Sequence, residues 1–407
     1  MKCGLLGGKL GHSYSPQIHA LLGNYSYQLF EKEPEEIGDF LKNGDFTGLN
    51  VTIPYKKEVI PFLDELSPAA ARLGAVNTIV RRDGKLIGHN TDYFGFRRLV
   101  QESGLQVAEK KVLVLGSGGA SSTAVAVLQE LGAKVTVISR SGENNYENLD
   151  RHADAAVIAN TTPVGMYPNT GKSALSLEGF PRLEGVLDAV YNPARTQILL
   201  DAEHRGLAAV NGLWMLVAQA KESAEWFTGE EIPDSRIAKI HHTLRLQMEN
   251  IILIGMPGCG KTAVGQQLAQ KLGKKFVDAD ESLEARVCRK ITDIIPNDGE
   301  AAFREMESET LAELGKQSGL VIATGGGCVT QPQNYPLLHQ NGTIFWLKRE
   351  LDKLPTDGRP LSQKGTLGQM YEARMPLYLR FADAAISNDG SIAETASAIC
   401  RKLEETT

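Results

Sequence analysis

The stretch 251–272 restricts the available folds more than any other part of the chain. An apolar run, Ile251-Ile252-Leu253-Ile254, is followed by Gly255-Met256-Pro257-Gly258-Cys259-Gly260-Lys261-Thr262 and then by a helical pattern over 263–272. Strand, glycine loop and helix in that order make an α/β unit. The spacing turns the backbone N–H groups of Gly258, Cys259, Gly260, Lys261, Thr262 and Ala263 toward the phosphates of ATP. Lys261 reaches the β- and γ-phosphates, and the Thr262 hydroxyl can hold Mg²⁺. Side chains at the glycines would block the phosphates. A glycine turn with a chance Lys-Thr is the plainer alternative, but the flanking strand and helix argue against it.

The loop lies well past the middle of 407 residues, a length suited to two or three domains, so residues 1–248 hold something else. A net charge of −6 leaves no basic footprint for nucleic acid or an anionic membrane. Five scattered cysteines, with no Cys-x-x-Cys, predict neither a disulfide framework nor a zinc site. Glycines interrupt the first residues before a signal core forms, and no apolar run reaches membrane-spanning length, so the expectation is a soluble cytoplasmic protein. His12, His241 and His242 have no nucleophile or metal partner nearby in sequence and are given no chemistry. The Glu- and Lys-rich ridges in 282–289 and 305–313 read as solvated helix faces.

In the first 94 residues, three polar strand ends are expected to converge on a concave site. They are Asn50-Val51-Thr52-Ile53-Pro54-Tyr55-Lys56, Ala75-Val76-Asn77-Thr78 and His89-Asn90-Thr91-Asp92. Upstream, Ser13-Tyr14-Ser15-Pro16 places two hydroxyls at a helix start, where ordinary capping is an equal explanation. With Gly74 added to the second segment, these stretches resemble, in order, the substrate-site motifs of shikimate dehydrogenase. The resemblance implies Lys56 and Asp92 as the catalytic pair. It also implies that Ser13, Ser15, Thr52, Asn77 and Gln219 grip the carboxylate and hydroxyls of the ring. A cationic lysine suits the chemistry, because hydride addition to a ketone leaves charge on oxygen.

Residues 95–211 read as a Rossmann-like dinucleotide domain. Strand 110–115 runs into Gly116-Ser117-Gly118-Gly119-Ala120-Ser121 and a helix over 122–131, a setting that puts pyrophosphate on a helix N-terminus, with Ser121 in place of the third glycine. The next strand ends at Ser139-Arg140-Ser141, where arginine favours the 2′-phosphate of NADP(H) over NAD. The family commonly has a further arginine downstream, whereas 142–150 is acidic, so cofactor preference stays open. Asn160-Thr161-Thr162-Pro163 and Asp188-Ala189-Val190-Tyr191 also match the family and should edge the nicotinamide; by resemblance Thr161 and Gly212 serve the cofactor and Tyr191 faces the substrate. The apolar helix carrying Gln219, with 235–246 behind it, returns to complete the first domain, so that 212–247 joins 1–94.

Residues 249–407 carry the ATP loop. The strand ending Asp278-Ala279-Asp280 supplies two acids, Asp278 toward the metal and Asp280 toward an acceptor hydroxyl, although a helix cap would also explain Asp280. With Gly299-Glu300-Ala301-Ala302-Phe303-Arg304-Glu305-Met306-Glu307, Gly325-Gly326-Gly327, Gly358-Arg359-Pro360-Leu361 and Arg374-Met375-Pro376-Leu377-Tyr378, this segment resembles shikimate kinase. The resemblance assigns Asp280, Arg304, Gly326 and Arg374 to shikimate and Arg359, on a lid, to ATP. The whole predicts a bifunctional α/β enzyme with NADP(H), ATP and Mg²⁺, converting 3-dehydroshikimate to shikimate and then to its 3-phosphate. Two readings compete: a quinate/shikimate dehydrogenase fused to another small-molecule kinase, and a ligand-sensing regulator without catalysis. Its partners are expected to be small molecules, with homo-oligomerisation left open.

Overall fold

The computed structural model describes residues 1–11, 13–354 and 364–405. The chain forms two compact units. One comprises Met1–Met166, Lys172–Tyr191 and Ile198–Thr243; the other comprises Tyr167–Gly171, Asn192–Gln197 and Leu244–Thr407.

The first unit opens with a six-stranded sheet of β1 (Lys2–Gly7), β2 (Ser26–Glu31), β3 (Gly48–Val51), β4 (Glu65–Leu66), β5 (Thr78–Arg82) and β6 (Lys85–His89), in the order β2-β1-β3-β5-β6-β4. Helices α1 (Ser15–Leu22), α2 (Ile37–Asn43) and α3 (Pro68–Leu73) connect the strands. Asp83 and Gly84, both at positive φ, make the tight turn that folds β5 against β6. Strand β5 is antiparallel to β3 and pairs Thr78 with Asn50. Asn77-Thr78 therefore stands at the start of a strand, not at its end as expected. Non-local pairing decides this, and it still delivers Asn77 to the end of β3.

Helix α4 (Asp92–Glu102) leads to a second sheet: β7 (Lys111–Leu115), α5 (Gly119–Glu130), β8 (Lys134–Ile138), β9 (Val157–Asn160), β10 (Gly185–Asp188), α6 (Gln197–His204) and β11 (Ala208–Val210). Its strands are all parallel in the order β11-β10-β9-β7-β8. Val112, Leu113, Val114 and Leu115 are completely buried, as continuous apolar runs covered on both faces must be. The order reverses between β7 and β9, and in open sheets of this kind ligands bind at such a crevice. Helix α5 begins at Gly119, three residues before the expected start. Helix α7 (Leu213–Thr228) packs back on α4 and α1, and α8 (Ser235–Met248) follows.

The second unit is built from β12 (Asn250–Ile254), α9 (Lys261–Leu272), β13 (Lys275–Asp278), α10 (Ala279–Val287), α11 (Ile291–Lys316), β14 (Leu320–Ala323), α12 (Asn334–His339), β15 (Gly342–Lys348), α13 (Lys364–Phe381), β16 (Ala384–Ser387) and α14 (Ile392–Glu405). Its parallel sheet runs β13-β14-β12-β15-β16 around a core that includes Ile252, Leu253, Trp346 and Tyr378. Among the described residues no helix is long and apolar enough to cross a membrane.

Candidate active sites

In the first unit, Lys56 lies in the turn after β3, and its Nζ donates to Asp92 Oδ2 at 2.5 Å. Asp92 opens α4, where the helix dipole favours a negative charge. Its other oxygen accepts from Asn77 Nδ2 at 2.9 Å, so a cation and an amide hold the largely buried carboxylate from two sides. Gln219 enters through its Oε1, which accepts from Thr91 Oγ1 at 3.4 Å, while its Nε2 donates to the Leu216 carbonyl. Ser13 Oγ accepts from the Ser15 N–H at 3.2 Å at the head of α1, and the Thr52 N–H donates to the Leu6 carbonyl. Tyr191 meets Tyr14 edge-on, with ring centres 6.2 Å apart, and burial raises its phenol pKa. Lys56, Asp92, Asn77 and Gln219 thus form one connected cluster, to which Thr91 belongs; sequence reasoning placed it in the strand end His89–Asp92 without singling it out.

At the switch point of the second sheet, Gly116 has φ 109°, and a Cβ there would press on the Thr161 and Thr162 side chains. Above Gly118 and Gly119 the space is open, directly at the start of α5 with Ala120 in its first turn. Bare Cα atoms facing open space at a helix N-terminus fit a pyrophosphate. Ser121, in the third-glycine position, is buried in the first turn of α5. Thr161 spends its hydroxyl proton on the Leu115 carbonyl at 2.6 Å, tying β9 to β7. Gly212 sits against the Ala189 carbonyl, which no Cβ would clear. Arg140 is exposed after β8, and its charge partly offsets the burial that raises the Tyr146 phenol pKa.

In the second unit, Gly255, Gly258 and Gly260 all take positive φ, curling the loop before α9. Cys259 is buried, and its carbonyl accepts from Asn388 Nδ2 at 2.6 Å; Ala263 lies exposed in the first turn of α9. Lys261 Nζ donates to the Gly255 and Met256 carbonyls at 3.0 and 3.2 Å. Thr262 Oγ1 donates to Asp278 Oδ2 at 2.9 Å. This pair of hard oxygen donors fits Mg²⁺, which keeps water and phosphate as its other ligands. The other oxygen of Asp278 accepts from the N–H groups of Asp280 and Glu281, so Asp278 is the helix cap and the Asp280 carboxyl is left for other work.

Burial pushes the Asp280 carboxyl up to about 6; Glu307 and Asp278 add to the shift, while Lys261 and Arg304 oppose it. A Cβ on Gly325 would lie 2.6 Å from Glu307 Oε1 and 2.8 Å from Asp280 Oδ1, so the two carboxyl groups flank one bare glycine. Arg304 donates to Glu307 Oε2 at 2.8 Å and to Glu300 Oε1 at 3.0 Å, and it fills the space beside Gly327. The Gly326 carbonyl accepts from Arg374 Nη1 at 3.2 Å and from the Tyr378 hydroxyl at 2.6 Å. Glu307 corrects the expectation of a solvated face over 305–313: it is 2 % exposed and part of this cluster. Its burial comes from packing against the glycine turn after β14, which helical periodicity does not report. Arg359 lies outside the described residues.

Two family models match the chain: the shikimate dehydrogenase substrate binding domain over residues 5–79 and shikimate kinase over residues 257–404. A shikimate dehydrogenase (NADP(+)) of Clostridium perfringens is 37% identical over 264 residues, which is 60% of this chain and 97% of that relative. Among solved structures, shikimate dehydrogenase 1 from Peptoclostridium difficile is 38% identical with a TM-score of 0.56, over 60% of this chain and 98% of that one. A chorismate mutase/shikimate 5-dehydrogenase fusion protein from Clostridium acetobutylicum is 36% identical with a TM-score of 0.57, over 60% and 96%. The chain therefore belongs to the shikimate dehydrogenase family over its N-terminal part and carries a shikimate kinase domain after it.

Proposed function

We propose that this chain performs two consecutive reactions: reduction of 3-dehydroshikimate to shikimate with NADPH, and phosphorylation of the 3-hydroxyl of shikimate with ATP. Residues 1–94 with 212–247 would hold the ring acid, 95–211 the dinucleotide and 249–407 the kinase. The observation that carries the reading is a lysine–carboxylate pair at 2.5 Å, braced by Asn77, in the same chain as a P-loop with a half-buried acid beside it.

In the first reaction NADPH supplies the hydride to the ketone carbon. Lys56 donates a proton to the ketone oxygen as charge develops there, and Asp92 aims the ammonium and the product hydroxyl. Ser13, Ser15, Thr52, Asn77, Gln219 and Tyr191 frame the ring. Gly116, Gly118, Gly119, Ala120, Thr161 and Gly212 lie along the dinucleotide, and Arg140 meets its 2′-phosphate. The acidic residues after Arg140 favour NAD as a second reading, which the ratio of kcat/KM for NADPH and NADH decides.

In the second reaction Mg²⁺ would offset charge on the phosphates, held by Thr262 and Asp278. Lys261 exchanges the Gly255 and Met256 carbonyls for phosphate oxygens, and Gly258, Cys259, Gly260 and Ala263 line the same loop. Asp280 accepts the proton of the attacking hydroxyl. Arg304, Gly326 and Arg374 hold the ring acid, and Arg359 would reach the nucleotide. The partners are these small molecules, and the free thiols suit a reducing cytoplasm.

The test measures NADPH oxidation with 3-dehydroshikimate, and ADP release with shikimate, on wild type, Lys56→Ala and Lys261→Ala. Each substitution is expected to abolish one reaction and spare the other. Folded wild-type protein that consumes neither nucleotide would overturn the proposal.

A further inference from the structure

Behind Lys56 and Asp92 runs a buried polar network that the proposed reduction leaves without a role. Its hub is Ser223, a fully buried hydroxyl on α7, one turn beyond Gln219. Ser223 Oγ lies 2.7 Å from Asn50 Nδ2, 2.8 Å from Thr78 Oγ1, 3.0 Å from Thr91 Oγ1 and 2.9 Å from the Gln219 carbonyl. The partners come from β3, β5, the N-terminus of α4 and α7, elements far apart in sequence.

Two backbone groups set the direction of the network. The Asn77 carbonyl, which can only accept, lies 3.3 Å from Asn50 Nδ2, so the Asn50 NH₂ also faces Ser223 and its Oδ1 accepts from the Tyr27 hydroxyl at 2.8 Å. The Thr91 backbone N–H donates to Asn77 Oδ1 at 2.7 Å, which turns the Asn77 NH₂ toward Asp92 Oδ1 and Thr91 Oγ1. Ser223 therefore accepts from Asn50, and Thr91 accepts from Asn77. The proton of Thr91 is shared among Ser223 at 3.0 Å, Asn77 Oδ1 at 3.2 Å, and Gln219 Oε1 and Thr78 Oγ1 at 3.4 Å. A hydroxyl has one proton and two lone pairs, so its four neighbours hold Ser223 in a narrow set of orientations.

We propose that Ser223, oriented by Asn50 and Tyr27, is a positioning residue that fixes Thr91, and through it the Asn77–Asp92 bond and the Gln219 amide. The inference rests on the dehydrogenase reading above. It concerns how the ring substrate is met and leaves the dinucleotide lobe untouched. Truncation at Ser223 spares the fold: alanine suits a helix, and Asn50 Nδ2 keeps the Thr78 hydroxyl and the Asn77 carbonyl, each at 3.3 Å.

The experiment measures both Michaelis constants in the reduction, with the thermal transition of the first unit and its shift by NADP⁺ as the check on folding. For Ser223→Ala, kcat/KM for 3-dehydroshikimate should fall about tenfold, the scale of one buried hydrogen bond. KM for the ring substrate should rise at least ~3-fold while KM for NADPH stays within ~2-fold. A smaller fraction of active protein lowers kcat but moves neither KM, so that result would overturn the proposal, as would wild-type constants. Tyr27→Phe keeps the ring stacked on His19 and removes the donor to Asn50 together with a hydrogen bond shared with Ser15; it should raise the same KM by about 2- to 3-fold in a Ser15→Ala background as well as in wild type. If Ser223→Ala does not fold, Tyr27→Phe in the Ser15→Ala background decides, and an unchanged KM there would overturn the proposal. A wild-type chain that reduces no 3-dehydroshikimate would overturn the functional reading and this proposal together, whereas unaltered constants in the folded variants would overturn only the positioning.

Discussion

The Asp280 carboxyl, proposed as the base, carries a cost in stability. Its folded-state pKa of about 6 lies above the ordinary range because the group is buried beside Glu307 and Asp278. Between roughly pH 4 and 6 the folded chain holds a proton that the unfolded chain has released, so this group makes stability fall as pH rises through that window. Above pH 6 the full cost is present; below pH 4 it is gone. Asp280→Asn should therefore stabilise the second unit at pH 8 by roughly 1 to 3 kcal/mol, with the gain vanishing by pH 4. Urea midpoints at the two pH values check it, and a variant less stable than wild type at pH 8 would refute it. In wild type, the rate of shikimate phosphorylation should fall as pH drops below about 6, where Asp280, the proposed base, takes up its proton. The same substitution should lower that rate by about 10²- to 10⁴-fold while leaving NADPH oxidation unchanged.

At the scale of elements, the glycine turns are the parts whose function depends on having no side chain. Gly327 backs directly onto the Arg304 guanidinium. Gly327→Ala should push that fork off its Glu307 and Glu300 partners and raise KM for shikimate in the kinase reaction about tenfold, with KM for ATP unchanged; equal changes in both constants would count against it. Much of this scale was legible in the sequence, because a glycine loop between an apolar run and a helix has few other meanings. The loops at 116–121 and 255–262, the strands before them and the acid at the end of β13 stand where local pattern puts them. Thr262 and Asp278 are drawn together simply by following their strands and helix. Non-local features were not legible. Glu307 shares its helix with Glu305, Glu309 and Glu313, so periodicity reads it as solvated, and only the packing of the turn after β14 buries it. Asn77 depends on antiparallel pairing with β3, and Ser223 on how α7 docks. The one sequence signal for Ser223 was its place four residues after Gln219, on the same helical face.

For the whole molecule, each unit has its own apolar core and its own nucleotide loop, so ligand energy should be delivered to one unit at a time. A ligand that binds only folded protein stabilises its host by about 2.7 kcal/mol at a hundredfold excess over Kd. For units of this size that corresponds to roughly 5 to 10 °C in Tm. Calorimetry should accordingly show two transitions. A non-hydrolysable ATP analogue with Mg²⁺ should lift one of them, and NADP⁺ should lift the other. EDTA should cancel most of the first shift, since it removes the cation proposed for Thr262 and Asp278, and should leave the second intact. The same chelator should stop ADP release and spare NADPH oxidation. A single transition raised by either nucleotide alone would mean that the units unfold as one, and the separate assignment of the two loops' binding energy would fail.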